Sequence, residues 1–357
     1  MHPTAAMVVK HHLSVAARRL GVADPLPTLG GALDRTFQLP VGDPRYGNNA
    51  LAPGSMPFEL SYSEVSPRNL RFDLELGGPQ ASPEARRHET SRETRRLIHQ
   101  HFGQPALRWF DERSEPWRTG PVDMGARFGA FFGASFDDGG LNEAKAYYEF
   151  RPDQVAALPD NLQHAVRVTM AALPGLVPIF TSIAAGRQRG AQRVYLFCPE
   201  ELRLLDLEPL MHRLGIGHQL PSILAALGVI TGGRFTLPAG SAVLGLRDTP
   251  RGIEMKLDLL MPAFSDPPQN MHGLIQLHLA QRPDSQRSLH DWMQAVTPDD
   301  RAGPGDISVV GVKVNPKMPS RLAVYLRPDE ARPRRVEPST RRAPSHFALD
   351  PFSNVQA

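Results

Sequence analysis

Cations and tyrosines recur two residues apart in this sequence. Lys145 stands two positions before Tyr147, Arg193 two before Tyr195, and Tyr325 two before Arg327. Arg71 and Asp73, and Lys256 and Asp258, repeat the spacing. Successive residues of a strand point to opposite faces, so a spacing of two keeps both partners on one face. That face would carry Glu59, Arg71, Asp73, Lys145, Tyr147, Glu149, Arg193, Tyr195, Lys256, Asp258, Lys313, Tyr325 and Arg327. Guanidinium groups offer a planar fork to anionic oxygens and ammonium groups a point charge. Tyrosine adds a hydroxyl for the same oxygens and a ring face that attracts cations. Carboxylates such as Glu59 can accept a proton, or they can pair with these cations in an internal ion-pair network.

The alternate positions are apolar: Leu70, Phe72 and Leu74; Phe132, Ala134 and Phe136; Met255, Leu257 and Leu259; Val310, Val312, Val314, Leu322, Val324 and Leu326. These runs belong to five predicted strand pairs. They cover residues 57–62 with 69–76, 126–137 with 143–150, 179–185 with 192–197, 242–248 with 252–261, and 307–314 with 321–327. Asp138-Gly139-Gly140 is a strong hairpin signal. Helical patterns over 83–102, 152–173, 199–227 and 271–296 separate the pairs. The helices need an apolar sheet face to bury against, so the polar face must be the other one. About ten antiparallel strands can curl shut and remove their exposed edges. The expected fold is therefore α+β, a closed ten-stranded antiparallel barrel ringed by helices. It would occupy residues 1–328 as a single domain, followed by an irregular Arg/Pro-rich tail over 329–357.

The 357 residues are 41% hydrophobic and 22% charged, enough for a sizeable core. A net charge of +3 gives no argument for nucleic acid. The basic cluster Arg332, Arg334, Arg335, Arg341 and Arg342 has no interleaved aromatic residues that could stack bases. The lone Cys198 excludes an intrachain disulfide and any cysteine-cluster metal site. The most apolar stretch, 220–230, is about half the ~20 residues of a membrane helix. Residues 1–20 read as a surface helix, with His11 and His12 on the surface. Asp137-Asp138 and Asp299-Asp300 lack the second acidic group through which a magnesium-dependent synthase holds diphosphate, and read as turn and cap residues. The expectation is a cytoplasmic protein, monomer or homodimer, acting on small molecules, with no nucleic-acid or membrane partner and no metal site.

Several strand motifs resemble the ABBA-type aromatic prenyltransferases, in particular the tryptophan dimethylallyltransferase-like branch. Phe58-Glu59-Leu60-Ser61 followed by Asn69-Leu70-Arg71-Phe72 is similar to that family's acidic strand and the arginine strand after it. Ala144-Lys145-Ala146-Tyr147, Gln192-Arg193-Val194-Tyr195 and Ala323-Val324-Tyr325 resemble its later cation and tyrosine strands. The order covers roughly 57–328. Gly133 and Ala191 depart from it, standing where relatives place further cations, and Lys256 and Asp258 replace a polar-x-Tyr arrangement.

The resemblance implies five αββα units and a lumen that transfers a prenyl group from an allylic diphosphate, dimethylallyl or geranyl, to an aromatic acceptor. An indole, a tryptophan-derived metabolite or a peptide would be the acceptor. Glu59 would be the base. Arg71, Lys145, Tyr147, Arg193, Tyr195, Lys256, Lys313 and Tyr325 would surround the diphosphate. The prenyl diphosphate is then a co-substrate, no cofactor is required, and Mg²⁺ is not expected to be essential. Gly129, Gly133 and Gly311, if inward, would leave room for a longer donor. The alternative is a non-catalytic barrel that binds an anionic lipid or phosphorylated small molecule.

Overall fold

The computed structural model describes residues 4–120, 125–299 and 303–328. Ten strands close on themselves: β1 (Phe58–Ser63), β2 (Leu70–Leu74), β3 (Ala130–Asp137), β4 (Gly140–Glu149), β5 (Val177–Gly186), β6 (Gly190–Cys198), β9 (Ala242–Thr249), β10 (Gly252–Leu260), β11 (Asp306–Asn315) and β12 (Met318–Arg327). Two short strands, β7 (Leu202–Arg203) and β8 (Thr236–Leu237), pair apart from the barrel. Every barrel pairing is antiparallel, and β12 pairs with β1 to close the ring. The alternation described above decides this arrangement. Leu70, Phe72, Leu74, Phe132, Phe136, Met255, Leu257, Leu259 and their equivalents are fully buried between the sheet and the helices.

The helices are α1 (Ala5–Leu20), α2 (Leu26–Thr36), α3 (Pro83–Arg118), α4 (Asp160–Ala172), α5 (Leu207–Arg213), α6 (Leu220–Ile230), α7 (Met271–Leu279) and α8 (Pro283–Val296). All five expected strand pairs form; the third and fifth run one to three residues further at their ends, whereas β2 and β3 are shorter than expected. At the hairpin signal, β3 ends on Asp137 and β4 starts on Gly140, whose φ of 105° no side-chain-bearing residue adopts readily.

Four local expectations are corrected. The stretch 199–227 is not one helix, because it contains β7, two 3₁₀ turns and α5 before α6 starts. The helix from Pro83 runs on to Arg118 across a break at Gly103, whose backbone has φ 80°, with Pro105 starting the next turn. Helix α1 is amphipathic rather than superficial: Val9, Leu13 and Ala16 are buried. His12 is buried with them. Its Nε2 lies 2.8 Å from the Val296 carbonyl and its ring meets Phe58 edge-on. Helix α2, which the sequence reading passed over, packs on α1. The tail beyond 328 lies outside the described residues. Among the described residues no helix is long and apolar enough to cross a membrane.

Candidate active site in the barrel lumen

Strand parity and register place the nine candidate residues together on the inner face. Glu59 is in register with Asp73, Arg71 with Ser135, Lys145 with Gly133, Arg193 with Arg247, Lys256 with Lys313, and Tyr325 with Ser61. Arg71 Nη2 and Lys145 Nζ lie 4.0 and 3.8 Å from Glu143. Lys256 Nζ lies 2.6 Å from Asp258 and donates to the Tyr325 hydroxyl at 2.8 Å. The same ammonium lies 4.7 Å from the centre of the Tyr325 ring, and Lys145 Nζ lies 4.7 Å from that of Tyr147. Arg193 pairs with Glu254, and Arg247 Nη2 meets the other oxygen of that carboxylate at 3.0 Å. Tyr147 and Tyr195 are 6.2 Å apart between ring centres.

Two glycines allow this crowding. A Cβ on Gly133 would stand 2.4 Å from Asp73 Oδ1 and 2.8 Å from Lys145 Cε. A Cβ on Gly311 would stand 2.3 Å from Asp258 Oδ1 and 2.6 Å from Lys256 Cε. Each glycine lets an aspartate and a lysine cross its own strand position. Their space is therefore filled by charged side chains, which corrects the expectation of extra room there for a longer donor. Gly129 does not face the lumen, since its Cβ would meet the Pro83 carbonyl at 1.8 Å.

One end of the lumen is apolar. Phe128, Phe131, Tyr147, Ile179, Tyr195, Phe197 and Val243 form a cluster separate from the main core, with Phe180 packed against it. Phe128 and Phe131 stack at 4.0 Å, and Phe180 lies 4.3 Å from Tyr195. A β-bulge between Pro178 and Phe180 interrupts the β5–β6 register beside this ring. Glu149 reads differently from its neighbours: its carboxylate accepts backbone N–H groups of Arg127, Phe128 and Gly129 and so fastens this aromatic segment rather than joining an ion-pair network.

The electrostatics divide the carboxylates by role. Burial pushes Glu59 up to about 7, against the opposing charge of Arg327, whose Nε lies 3.4 Å away. Asp73 is also raised by burial. Burial acts on Glu143 and Glu254 too, but the surrounding cations outweigh it and hold both below the usual range. The surroundings thus hold Glu143 and Glu254 below the usual carboxylate range and Glu59 and Asp73 above it, Glu59 at about 7. Burial, reinforced by Arg193, Arg71 and Arg247 and resisted by Glu254, lowers the Lys313 ammonium to about 7. Lys256 is held above its ordinary value, because Asp258 and Tyr325 outweigh its burial.

Three ionisable lumen groups went unassigned in the sequence reading: Arg247, Glu254 and Glu143, of which Glu143 stands two positions before Lys145 on its strand. Arg247 follows Gly245 by two positions and shares its parity, a signal present but overlooked; its register partner is Arg193, so it supplies a cation close to the place where Ala191 lacks one. Glu254 precedes Lys256 by two and had the same signal. Among the described residues no group of three or more His, Cys, Asp or Glu could hold a metal ion.

No family model matches this sequence, and no curated protein matches it. Solved structures do. A 6-dimethylallyl tryptophan synthase superposes with a TM-score of 0.73 at 16% identity, covering 93% of this chain and 98% of that one. The 6-dimethylallyltryptophan synthase of Micromonospora olivasterospora, in complex with DMASPP and Trp, gives 0.68 at 17% identity over 91% and 97% of the two chains. The apo prenyltransferase PriB gives 0.68 at 14% identity over 92% and 97%. At these identities the likeness shows the fold, and that fold is the ABBA prenyltransferase barrel.

Proposed function

We propose that this chain is an aromatic prenyltransferase, which moves a prenyl group from dimethylallyl or geranyl diphosphate to an indole-type acceptor, tryptophan or a derivative. The observation that carries the reading is the order of groups along one lumen. Cations and tyrosines crowd one part, an aromatic pocket adjoins them, and the buried carboxylate of Glu59, raised to about 7, faces the same lumen.

In this reading Arg71, Lys145, Arg193, Arg247, Lys256 and Lys313 hold the donor's diphosphate directly. Tyr147, Tyr195 and Tyr325 add hydroxyls toward its oxygens and ring faces toward the carbon chain. The allylic C–O bond breaks, and its electron pair leaves with the diphosphate. Preorganised cations in a restricted cavity stabilise that growing charge without reorganising. The allyl cation left behind faces the tyrosine rings, which attract it and exclude water. The acceptor ring forms the new C–C bond with its π electrons. Its extra proton then passes to Glu59, and aromaticity returns. A carboxylate with a pKa of about 7 suits that transfer near neutral pH. Lysine and arginine supply the diphosphate contacts throughout, so the reaction proceeds without obligatory Mg²⁺.

The test is incubation of the protein with dimethylallyl, geranyl and farnesyl diphosphates against indoles, phenols and short aromatic peptides, with and without EDTA, read by mass spectrometry. Products one prenyl unit heavier support the reading. Tight diphosphate binding with no product from any pair would replace it with a binding barrel for phosphorylated small molecules.

A further inference from the structure

Helix α3 is a hairpin. Thirty residues of straight helix would span about 45 Å, yet Arg87 Nη1 donates to the Trp117 carbonyl at 3.3 Å. Arg95 Nε meets Asp111 at 2.7 Å across the same fold. The break at Gly103 turns the second arm back along the first. Two such arms would ordinarily meet through apolar side chains. Here the apolar residues Leu97, Ile98, Phe110 and Trp117 are buried, and the helix packs on the outside of β3, β4 and β5.

Between the arms lies a cavity of about 440 Å³, lined by Arg87, Arg92, Arg95, Arg96 and Arg118, with Glu84 the single carboxylate among its lining residues. Three of these arginines have their own acidic partners outside the lining: Arg92 with Glu89, Arg95 with Asp111, Arg96 with Glu93. The other two do not. Arg118 shares Asp111 with Arg95, at 3.8 Å, and donates to the Ser114 hydroxyl at 3.4 Å. Arg87 makes no ion pair among the described residues, and burial lowers its pKa against the pull of Glu84. The two under-neutralised guanidiniums come from opposite arms, Arg87 on the first and Arg118 at the end of the second, and both line the cavity.

We infer that this cavity, outside the barrel wall, binds a diphosphate group, free or as the ester of a small organic molecule. Opposed guanidiniums suit it, because each can present two N–H groups to adjacent phosphoryl oxygens. The volume exceeds what a bare phosphate fills and falls within the range of small-molecule sites. The lumen takes no part in the argument, so this site stands whether or not the barrel transfers prenyl groups.

The experiment is arginine modification of the full chain by phenylglyoxal, mapped by mass spectrometry, with inorganic diphosphate, ADP or sulfate added at equal ionic strength. Mapping by residue separates this cavity from the lumen. The expected result is protection of Arg87 and Arg118 by inorganic diphosphate or by ADP but not by sulfate. Better protection by inorganic diphosphate assigns the free ion; better protection by ADP assigns an ester. Arg87→Gln should weaken binding at this site by about tenfold or more, the loss expected for a charge-assisted contact, while helicity by circular dichroism is kept. Equal modification of Arg87 and Arg118 with and without both diphosphates overturns the inference, as does protection by sulfate to the same degree. If Arg87→Gln does not fold, the mapping on the unaltered protein still decides.

Discussion

Arg327 Nε lies 3.4 Å from Glu59 Oε1, across the strand pair that closes the barrel. The guanidinium partly offsets the burial that raises Glu59. Removing it in Arg327→Ala takes away the largest influence opposing burial, so Glu59 should hold its proton to higher pH. The acid limb of kcat/KM, expected near 7, should move upward in Arg327→Ala and less in Arg327→Lys. A limb that stays in place in a pH–rate profile would separate Glu59 from the proton transfer.

The same burial makes Glu59 costly to fold around once ionised. Its folded pKa lies above the value of 4.5 for an unperturbed glutamate. Its contribution to stability is therefore full below about 4.5 and is lost as pH rises through about 7. Glu59→Gln should consequently be more stable than the parent at pH 8, by on the order of 3 kcal/mol from the shift to about 7. Thermal melts at pH 5 and pH 8 check this: the gain should appear at pH 8 and shrink at pH 5.

Lys313 gives a second, opposite pH effect. With a pKa of about 7 it is largely uncharged above neutrality in the free protein. A bound diphosphate favours the charged form. Donor binding should then take up a proton and weaken as pH rises from 7 to 8. Lys313→Arg, which stays charged, should flatten the dependence. Titration calorimetry in buffers of different ionisation enthalpy measures the uptake directly, and no uptake would place Lys313 away from the donor.

Gly133 and Phe180 test the lumen's space. Gly133→Ala forces a methyl between Asp73 and Lys145, and should raise the donor KM while costing about 1–3 kcal/mol of stability, as overpacking does. Phe180→Ala instead empties volume beside Tyr195 and Tyr147. It should raise use of geranyl relative to dimethylallyl diphosphate. An unchanged ratio would show that the donor chain does not reach this ring.

The fold was largely legible because barrel strands carry a period of two, and their parity is recorded in residue type. Lys145 and Tyr147, or Leu257 and Leu259, disclose their faces without any coordinates. Arg247 was legible by the same rule and was overlooked, because its neighbours Val243 and Gly245 are not polar. Other features depend on contacts distant in sequence. The Gly103 break looks like any glycine until Arg87 is found beside Trp117. Gly133 reads as spare room until Asp73 and Lys145 are seen to occupy it. His12 reads as surface until Val296 supplies its carbonyl. The aromatic end of the lumen needed the bulge at Pro178 and Phe180, which pairing alone creates.

The central claim is that Glu59 takes the proton released when a prenyl group joins an aromatic ring in this lumen. The measurement that tests it most directly compares the parent with Glu59→Gln, using dimethylallyl diphosphate and tryptophan in EDTA and following prenylated product and donor affinity together. The account predicts product from the parent, a loss of turnover of about 10²–10⁴-fold in Glu59→Gln, and donor affinity within a few-fold. Equal turnover by the two proteins would contradict it.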